Sequence, residues 1–319
     1  MAAISAKTDL TNRIVHVYSD LPPKRKLVAD LFLSDYKKMF LCSAKEIAQE
    51  CGVSEPTITR FAVDLGFKGY AEFEQYLKGL LHIELTSVER MVKESQASDP
   101  GEDGPVLARY CQKTIESCQK LVRNISEQDM ERLARTILEA PNVVVAAHRA
   151  SGPLAQYFGY LLKKTRKNVL VDTDISWEVC DHLALNGPNV LVVAIAFPRY
   201  PQCVVDLLQY ARQLECQTIG ISDTPLSPVI TGSDLHAVVD MEGISFVDPF
   251  GTAITFLGAL IHQIAFMNKD TTLARLKSLE VGIGQRGDFF QEKGKGSRVP
   301  MENAGNAPLE ANYYITGSK

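Results

Sequence analysis

Apolar residues recur at helical spacing through residues 24–82 of this chain. Leu27, Val28, Leu31, Phe32 and Tyr36 predict one face of an early helix, and Ile58, Phe61, Ala62 and Leu65 predict one face of a later one. No alternating pattern interrupts this region, so short helices joined by tight turns are expected. From about residue 106 two further helical patterns lead into a different regime. NVVVAA (142–147), NVLVD (168–172), NVLVVAIA (189–196), QTIGIS (217–222) and DLHAVVD (234–240) are nearly continuous apolar runs rich in β-branched residues, with helical patterns between them. Such runs predict a doubly wound, five-stranded parallel sheet covered on both faces, hence an α/β fold behind an all-α N-terminal part. SQASDPGEDGP (95–105) has the composition of a linker, and beyond about residue 285 a Gly-, Asn- and Ser-rich stretch predicts a mobile tail. The expected organisation is 1–85 helical, 86–124 a helical linker, 125–270 the sheet domain, and 271–319 a C-terminal helix with the tail.

Residues 50–73, ECGVSEPTITRFAVDLGFKGYAEF, repay closer reading. Ser43 and Glu46 form a capping box ahead of Ile47, Ala48 and Cys51, and Gly52 ends that helix. Ser54 or Glu55 then caps a second helix with Pro56 in its first turn. Its outer face carries Pro56, Thr57, Arg60 and Asp64. Hydroxyls and a guanidinium in the first turns suit a helix that reads the major groove, although a three-helix bundle with a solvated face fits the spacing equally well.

Composition narrows the classes. The chain has 319 residues, is 45% hydrophobic and carries a formal net charge of -4. Residues 1–85 hold eleven Lys/Arg against eleven Asp/Glu, which excludes a highly basic nucleic-acid binder and leaves any DNA surface to local arrangement. Seven cysteines without a CxxC pair predict reduced thiols and a cytoplasmic protein. A start without a signal pattern, and no run of about 18 apolar residues, predict a soluble protein without membrane partners.

The stretch SAKEIAQECGVSEPTITRFAVDLGFKGYAEF resembles the N-terminal helix-turn-helix domain of the RpiR family of bacterial transcription regulators, over roughly residues 8–84. The resemblance implies double-stranded operator DNA as partner, with Ser54, Thr57, Thr59 and Arg60 on the reading helix. Lys68 in the following turn is a phosphate-contact candidate, and Lys24, Arg25, Lys26, Lys37 and Lys38 add to the electrostatic footprint or are simply solvated.

In an open parallel sheet, ligands bind where strands end and helices begin. The loop after the first strand offers Arg149 and Ser151, that after the third offers Arg199 and Tyr200, and that after the fourth offers Ser222 and Asp223. This layout resembles the SIS (sugar isomerase) domain that forms the C-terminal half of RpiR regulators, over about residues 125–270, which implies a phosphosugar ligand. SIS domains commonly carry an S-x-S-G-x-[TS] loop after this strand, but here Ala194-Ile195-Ala196-Phe197-Pro198-Arg199-Tyr200 lacks both serines. Guanidiniums replacing hydroxyls imply a small anionic, sugar-like effector. Arg149 as an interface ion-pair partner and Ser151 as a helix cap alone are the competing structural roles.

Glu178, His182 and His148 are the only candidates for isomerase acid–base chemistry, and a four-residue Glu–His spacing is common on solvated helices. No catalytic residue, metal site or cofactor is therefore expected. The nearby Trp177 is read as packing. A ligand-responsive, non-enzymatic regulator, working as a homodimer or homotetramer, is the favoured reading. A sugar-phosphate isomerase with an accessory helical domain is the alternative. The apolar stretch 250–267 suits the core or a subunit interface.

Overall fold

The computed structural model describes residues 2–39, 42–84, 86–97, 105–241 and 246–286. Most of the linker expected at 95–105, and the tail beyond 286, lie outside them. Five helices form the N-terminal part: α1 (Ala2–Tyr18), α2 (Pro23–Met39), α3 (Ala44–Glu50), α4 (Glu55–Asp64) and α5 (Tyr70–Glu84). Sequence periodicity did not single out α1, which buries Leu10 and Ile14.

The local signals around α3 and α4 explain their ends. The Ser43 N–H and hydroxyl donate to the Glu46 carboxylate at 2.6 and 2.7 Å, and the Glu46 N–H donates back to Ser43 Oγ at 3.3 Å. The Ser43 backbone bond, then its hydroxyl bond, hold the Glu46 carboxyl below its ordinary pKa. At the other end Gly52 adopts φ +63, its N–H donates to Gln49 O, and the Val53 N–H donates to Ala48 O at 2.9 Å. That pair of bonds closes the helix through a left-handed residue, which glycine adopts without a Cβ clash. Gly66, at φ +92, ends α4 in the same way, with Phe67 N–H on Ala62 O.

The predicted apolar face of α4 is buried: Ile58, Phe61 and Ala62 are fully enclosed and Leu65 nearly so. Phe61 meets Phe32 at 5.9 Å and Phe73 at 6.2 Å between ring centroids, and Phe32 meets Phe73 at 5.5 Å. Each such pair contributes about 0.5–1.5 kcal/mol beyond the area it buries. On α2, Val28 and Phe32 enter this core as expected, but Leu27 is half exposed.

The helices α6 (Ser87–Ala97), α7 (Val106–Asn124) and α8 (Glu127–Glu139) precede the sheet domain. There β1 (Asn142–Ala147), α9 (Gly152–Thr165), β2 (Val169–Asp172), α10 (Trp177–Asn186), β3 (Val190–Ile195), α11 (Gln202–Gln213), β4 (Gln217–Ser222), α12 (Pro228–Thr231), β5 (Leu235–Val238), α13 (Gly251–Met267) and α14 (Lys269–Arg286) follow in order. All strand pairings are parallel, in the order β2-β1-β3-β4-β5.

Alternate residues of each strand face opposite layers. Val143, Val145 and Ala147 of β1 and Leu191, Val193 and Ile195 of β3 pack in one core with residues of α8, α9 and α13. Val144, Ala146, Val192 and Ala194 pack in the other core with residues of α10 and α11. Gly159 lets α9 lie close on β2, since a Cβ there would collide with the stiff, branched side chain of Val171. The helix α13 buries Ala253, Phe256, Leu257, Leu260 and Ile264 in the first core and exposes Ile254 and Phe266. Among the described residues, no single helix is long and apolar enough to cross a membrane.

Arg166, just after α9, is 8% exposed. Its guanidinium donates to the carbonyls of Ile137, Ala140 (2.6 Å), Pro141 (3.0 Å) and Lys167 (2.9 Å). Burial lowers its pKa from the usual arginine value.

Candidate functional site

The strand order reverses direction between β1 and β3: from β1 the chain goes outward to β2, then returns to the other side of β1 as β3. The loops leaving β1 and β3 therefore diverge to opposite faces, and a crevice opens beyond the carboxyl ends of these strands. In this crevice lies a cavity of about 230 Å³ between His148–Ser151 after β1 and Phe197–Arg199 with Pro201 after β3. Ser87, Arg90, Phe246 and Asp248 complete its wall.

Arg149, Ser151 and Arg199, predicted from separate loops, thus meet at one cavity. Arg149 is held at φ 54, in the left-handed region, at the short 3-10 turn between β1 and α9. Ser151 is buried at the entrance to α9, yet its side chain makes no capping bond. His148 accompanies them. Its Nδ1 lies 2.8 Å from Thr173 O, so Nδ1–H is the donor and Nε2 carries no proton when the ring is neutral. Arg149 and Arg199 are exposed, and neither guanidinium has a hydrogen-bond or ion-pair partner among the described residues. Arg90 and Asp248 instead pair across the wall at 2.8 Å, with 14% and 18% of their side chains exposed.

Tyr200, Ser222 and Asp223 do not line this cavity. The Tyr200 hydroxyl donates to Asp223 Oδ1 at 2.7 Å, and the fully buried Ser222 hydroxyl bonds with Ala196 O and Ser227 Oγ, each at 2.7 Å. Burial first, then the Asp223 charge, raises the Tyr200 pKa well above the ordinary phenol value. This network ties the loop after β3 to the loop after β4. Ala194 and Ala196 are both fully buried, so no hydroxyl takes the place of the two missing serines.

The other two acid–base candidates lie apart from His148. Glu178 is exposed on α10, and neither it nor His182 lines any part of the cavity; Asn186 Nδ2 donates to the His182 carbonyl at 2.8 Å and lies 3.4 Å from the His182 Nδ1. Trp177, in the first turn of α10 after the Ser176 cap, is 85% exposed, which overturns its reading as a packing residue. Among the described residues no group of three His, Cys, Asp or Glu side chains could hold a metal.

On the helix-turn-helix, Ser54, Thr59, Arg60 and Lys68 are exposed and Thr57 is half-buried. Ser54 Oγ lies 3.0 Å from Thr57 Oγ1, not on a backbone N–H, although Ser54 occupies the cap position of α4. The Lys68 N–H donates to Glu72, leaving its ammonium free of that bond. Two cations are already engaged: Arg25 pairs with Asp64 at 2.5 Å, joining α2 to α4, and Lys26 sits over the Tyr18 ring. Asp64, expected on the outer face, is half-buried by that pairing. Nothing is described of the Lys37 and Lys38 side chains.

The sequence model of the rpiR-family helix-turn-helix domain matches residues 8–84, and that of the SIS domain matches residues 136–265. An uncharacterised HTH-type transcriptional regulator of Haemophilus influenzae is 23% identical over 291 residues, 87% of this chain and 98% of that one. Two solved structures share the fold. The Vibrio vulnificus NanR protein, complexed with ManNAc-6P, aligns with a TM-score of 0.54 at 19% identity, over 86% of this chain and 98% of that one. The sugar isomerase domain of an RpiR transcription factor from Sphaerobacter thermophilus aligns with a TM-score of 0.53 at 20% identity, over 55% of this chain and 98% of the other. With the rpiR-type helix-turn-helix domain followed by a SIS domain, the chain belongs to the RpiR-type transcriptional regulators.

Proposed function

We propose that this regulator binds a small anionic, sugar-like metabolite, a sugar phosphate or sugar acid, in the cavity beyond β1 and β3, and that binding changes its affinity for operator DNA. The observation that carries this reading is the cavity's charge: Arg90, Arg149 and Arg199 line it against the single carboxylate of Asp248. The first turns of α9 and α11 begin at its edge, adding backbone N–H groups and the positive ends of two helix dipoles. Arg149 and Arg199 supply charge-assisted donors, and Ser151 supplies a hydroxyl not spent on capping. Tyr200, Ser222 and Asp223 hold the loops in place. That the structurally similar NanR was solved with ManNAc-6P supports the phosphorylated-sugar class.

The DNA-reading surface is the exposed start of α4, with Ser54, Thr57, Thr59 and Arg60 toward the bases and Lys68 toward a phosphate. Arg60→Ala should weaken operator binding by about 1–3 kcal/mol, whereas Lys68→Ala should weaken it less, equally for all sequences, and lower the salt slope by about one. Gel-shift titrations at several salt concentrations, with circular dichroism to confirm folding, measure both. Unchanged affinity in both variants would remove the reading surface from α4. Pseudo-palindromic operators suit a homodimer or homotetramer, with the exposed side of α13 as one element of its interface, and the cytoplasm is the compartment in which such a regulator acts.

The isomerase alternative is disfavoured because Glu178 lies outside the cavity and Asp248 is engaged by Arg90. A thermal-shift screen of sugar phosphates and sugar acids, paired with a coupled isomerase assay, tests the whole reading. A stabilising ligand without turnover is the expected result. Turnover lost in Glu178→Gln would replace the regulator-only reading with an enzymatic one.

A further inference from the structure

The SIS-domain cavity is not built from the SIS domain alone. Ser87 and Arg90, three residues apart on α6, form part of its wall. The helix is fixed at its start by a capping box: the Thr86 N–H donates to Glu89 Oε2 at 2.7 Å and the Glu89 N–H to Thr86 Oγ1 at 3.1 Å. It begins three residues after the end of α5, the last helix of the helix-turn-helix domain. Ser87 and Arg90 therefore follow the last residue of the helix-turn-helix domain by three and six positions in the chain.

The state of Arg90 is equally informative. Its Nη1 donates to Asp248, but its Nε–H is buried without an acceptor. Buried donors are ordinarily satisfied, and an N–H left unsatisfied while Asp248 holds Arg90 fits a side chain that gains an acceptor when it turns to an anion in the cavity. Asp248 poses the complementary problem. An anion drawn in by Arg149 and Arg199 meets this carboxylate in a partly buried cavity, where like charges repel strongly. Both problems are resolved together if the anion takes over Arg90 and Asp248 is released.

We infer that Arg90 is an effector-binding residue supplied by the connecting helix, and that exchange of its Asp248 partner for the effector's anion is the step that couples the cavity to the DNA-binding domain. The inference rests on the cavity being the effector site. Coupling then has the differential contact that thermodynamics requires: Arg90–Asp248 in one state, Arg90–effector in the other.

The test uses the full chain and inorganic phosphate as the probe, with chloride at matched ionic strength as the reference. Phosphate binding is followed by calorimetry, and hydrogen exchange is followed across residues 70–97. In the wild type, phosphate should change exchange in this segment. Arg90→Gln should bind phosphate at least about tenfold more weakly, the loss of one charge-assisted contact, and show no phosphate-dependent change in exchange. Asp248→Asn, which removes the competitor and retains the side chain's shape, should bind phosphate more tightly and show the liganded exchange pattern without phosphate. These opposite signs separate a partner exchange from mere loss of packing. Should Arg90→Gln fail to fold, Asp248→Asn alone decides, since weaker binding with the unliganded pattern would overturn the inference. Wild-type binding and exchange in Arg90→Gln, when Arg149→Ala and Arg199→Ala abolish binding, would overturn the coupling step and leave the effector site standing. Binding unaffected in all three arginine variants would overturn the site itself.

Discussion

Arg149→Ala and Arg199→Ala are each expected to weaken effector binding by about 1.5–3 kcal/mol, roughly 10- to 150-fold in Kd, because each removes a charged donor from the anion. Their neighbourhood explains the size of the effect. Neither guanidinium has a partner among the described residues, so neither of these two has to give up an internal bond to hold the effector. Arg149 is also held at the strained φ of 54, and a non-glycine residue persists there only when the surrounding structure fixes it. The backbone that carries the side chain is then fixed at the cavity before the ligand arrives. Both groups are exposed, so the affinity should fall as salt rises. Calorimetry with the ligand found by thermal-shift screening, at two ionic strengths, measures this. Ligand-free operator binding should stay near wild type in both variants, since neither residue lies on α4 and no α4 residue lines the cavity. Wild-type effector affinity in both would place the site elsewhere.

How much of this site the sequence disclosed depends on what carried each signal. The strands were legible because β1 and β3 are buried on both faces, and continuous apolar runs say so directly. From the strands, the loops that follow them could be named, and three of the six residues chosen from those loops line the cavity. Tyr200, Ser222 and Asp223 satisfied the same positional rule, but one-dimensional position does not tell whether a polar group faces a ligand or a neighbouring loop. Their mutual bonds decide that. Ser87, Arg90 and Asp248 were missed because they belong to segments distant in sequence, brought to the cavity by tertiary packing. A partial signal did exist: Thr86 and Glu89 make a visible capping box, which fixes a helix start and sets Ser87 and Arg90 on one face. Nothing in the sequence told which domain that face would meet. The N-terminal α1 went unread for another reason, since its apolar positions are mixed with Ser, Thr and Asn and its helicity is supported by packing on α2 and α5.

Arg166 presents the opposite case to the cavity arginines, and Arg166→Met is expected to destabilise the sheet domain by about 2–4 kcal/mol without changing either binding activity. Its guanidinium fills four carbonyls, and those of Ile137, Ala140 and Pro141 lie at the end of α8 and the approach to β1. The last carbonyls of a helix have no intrahelical donor and carry the negative end of its dipole, so a buried cation here answers both needs. Methionine retains much of the apolar stem and removes the cost of burying a charge, which offsets part of the loss. The carbonyls left dry and unpaired are what dominates. Lysine would restore the charge but not the planar fan of donors, and should recover only part of the stability. Thermal unfolding of Arg166→Met and Arg166→Lys measures the difference, with a melting shift of roughly 5–15 °C expected for the methionine variant if about 2–4 °C accompanies each kcal/mol. A shift below the error of the measurement would mean that water or relaxed backbone satisfies those carbonyls. A loss of effector binding at unchanged stability would place Arg166 in communication with the cavity at the opposite end of the strands, a role its saturated bonds argue against.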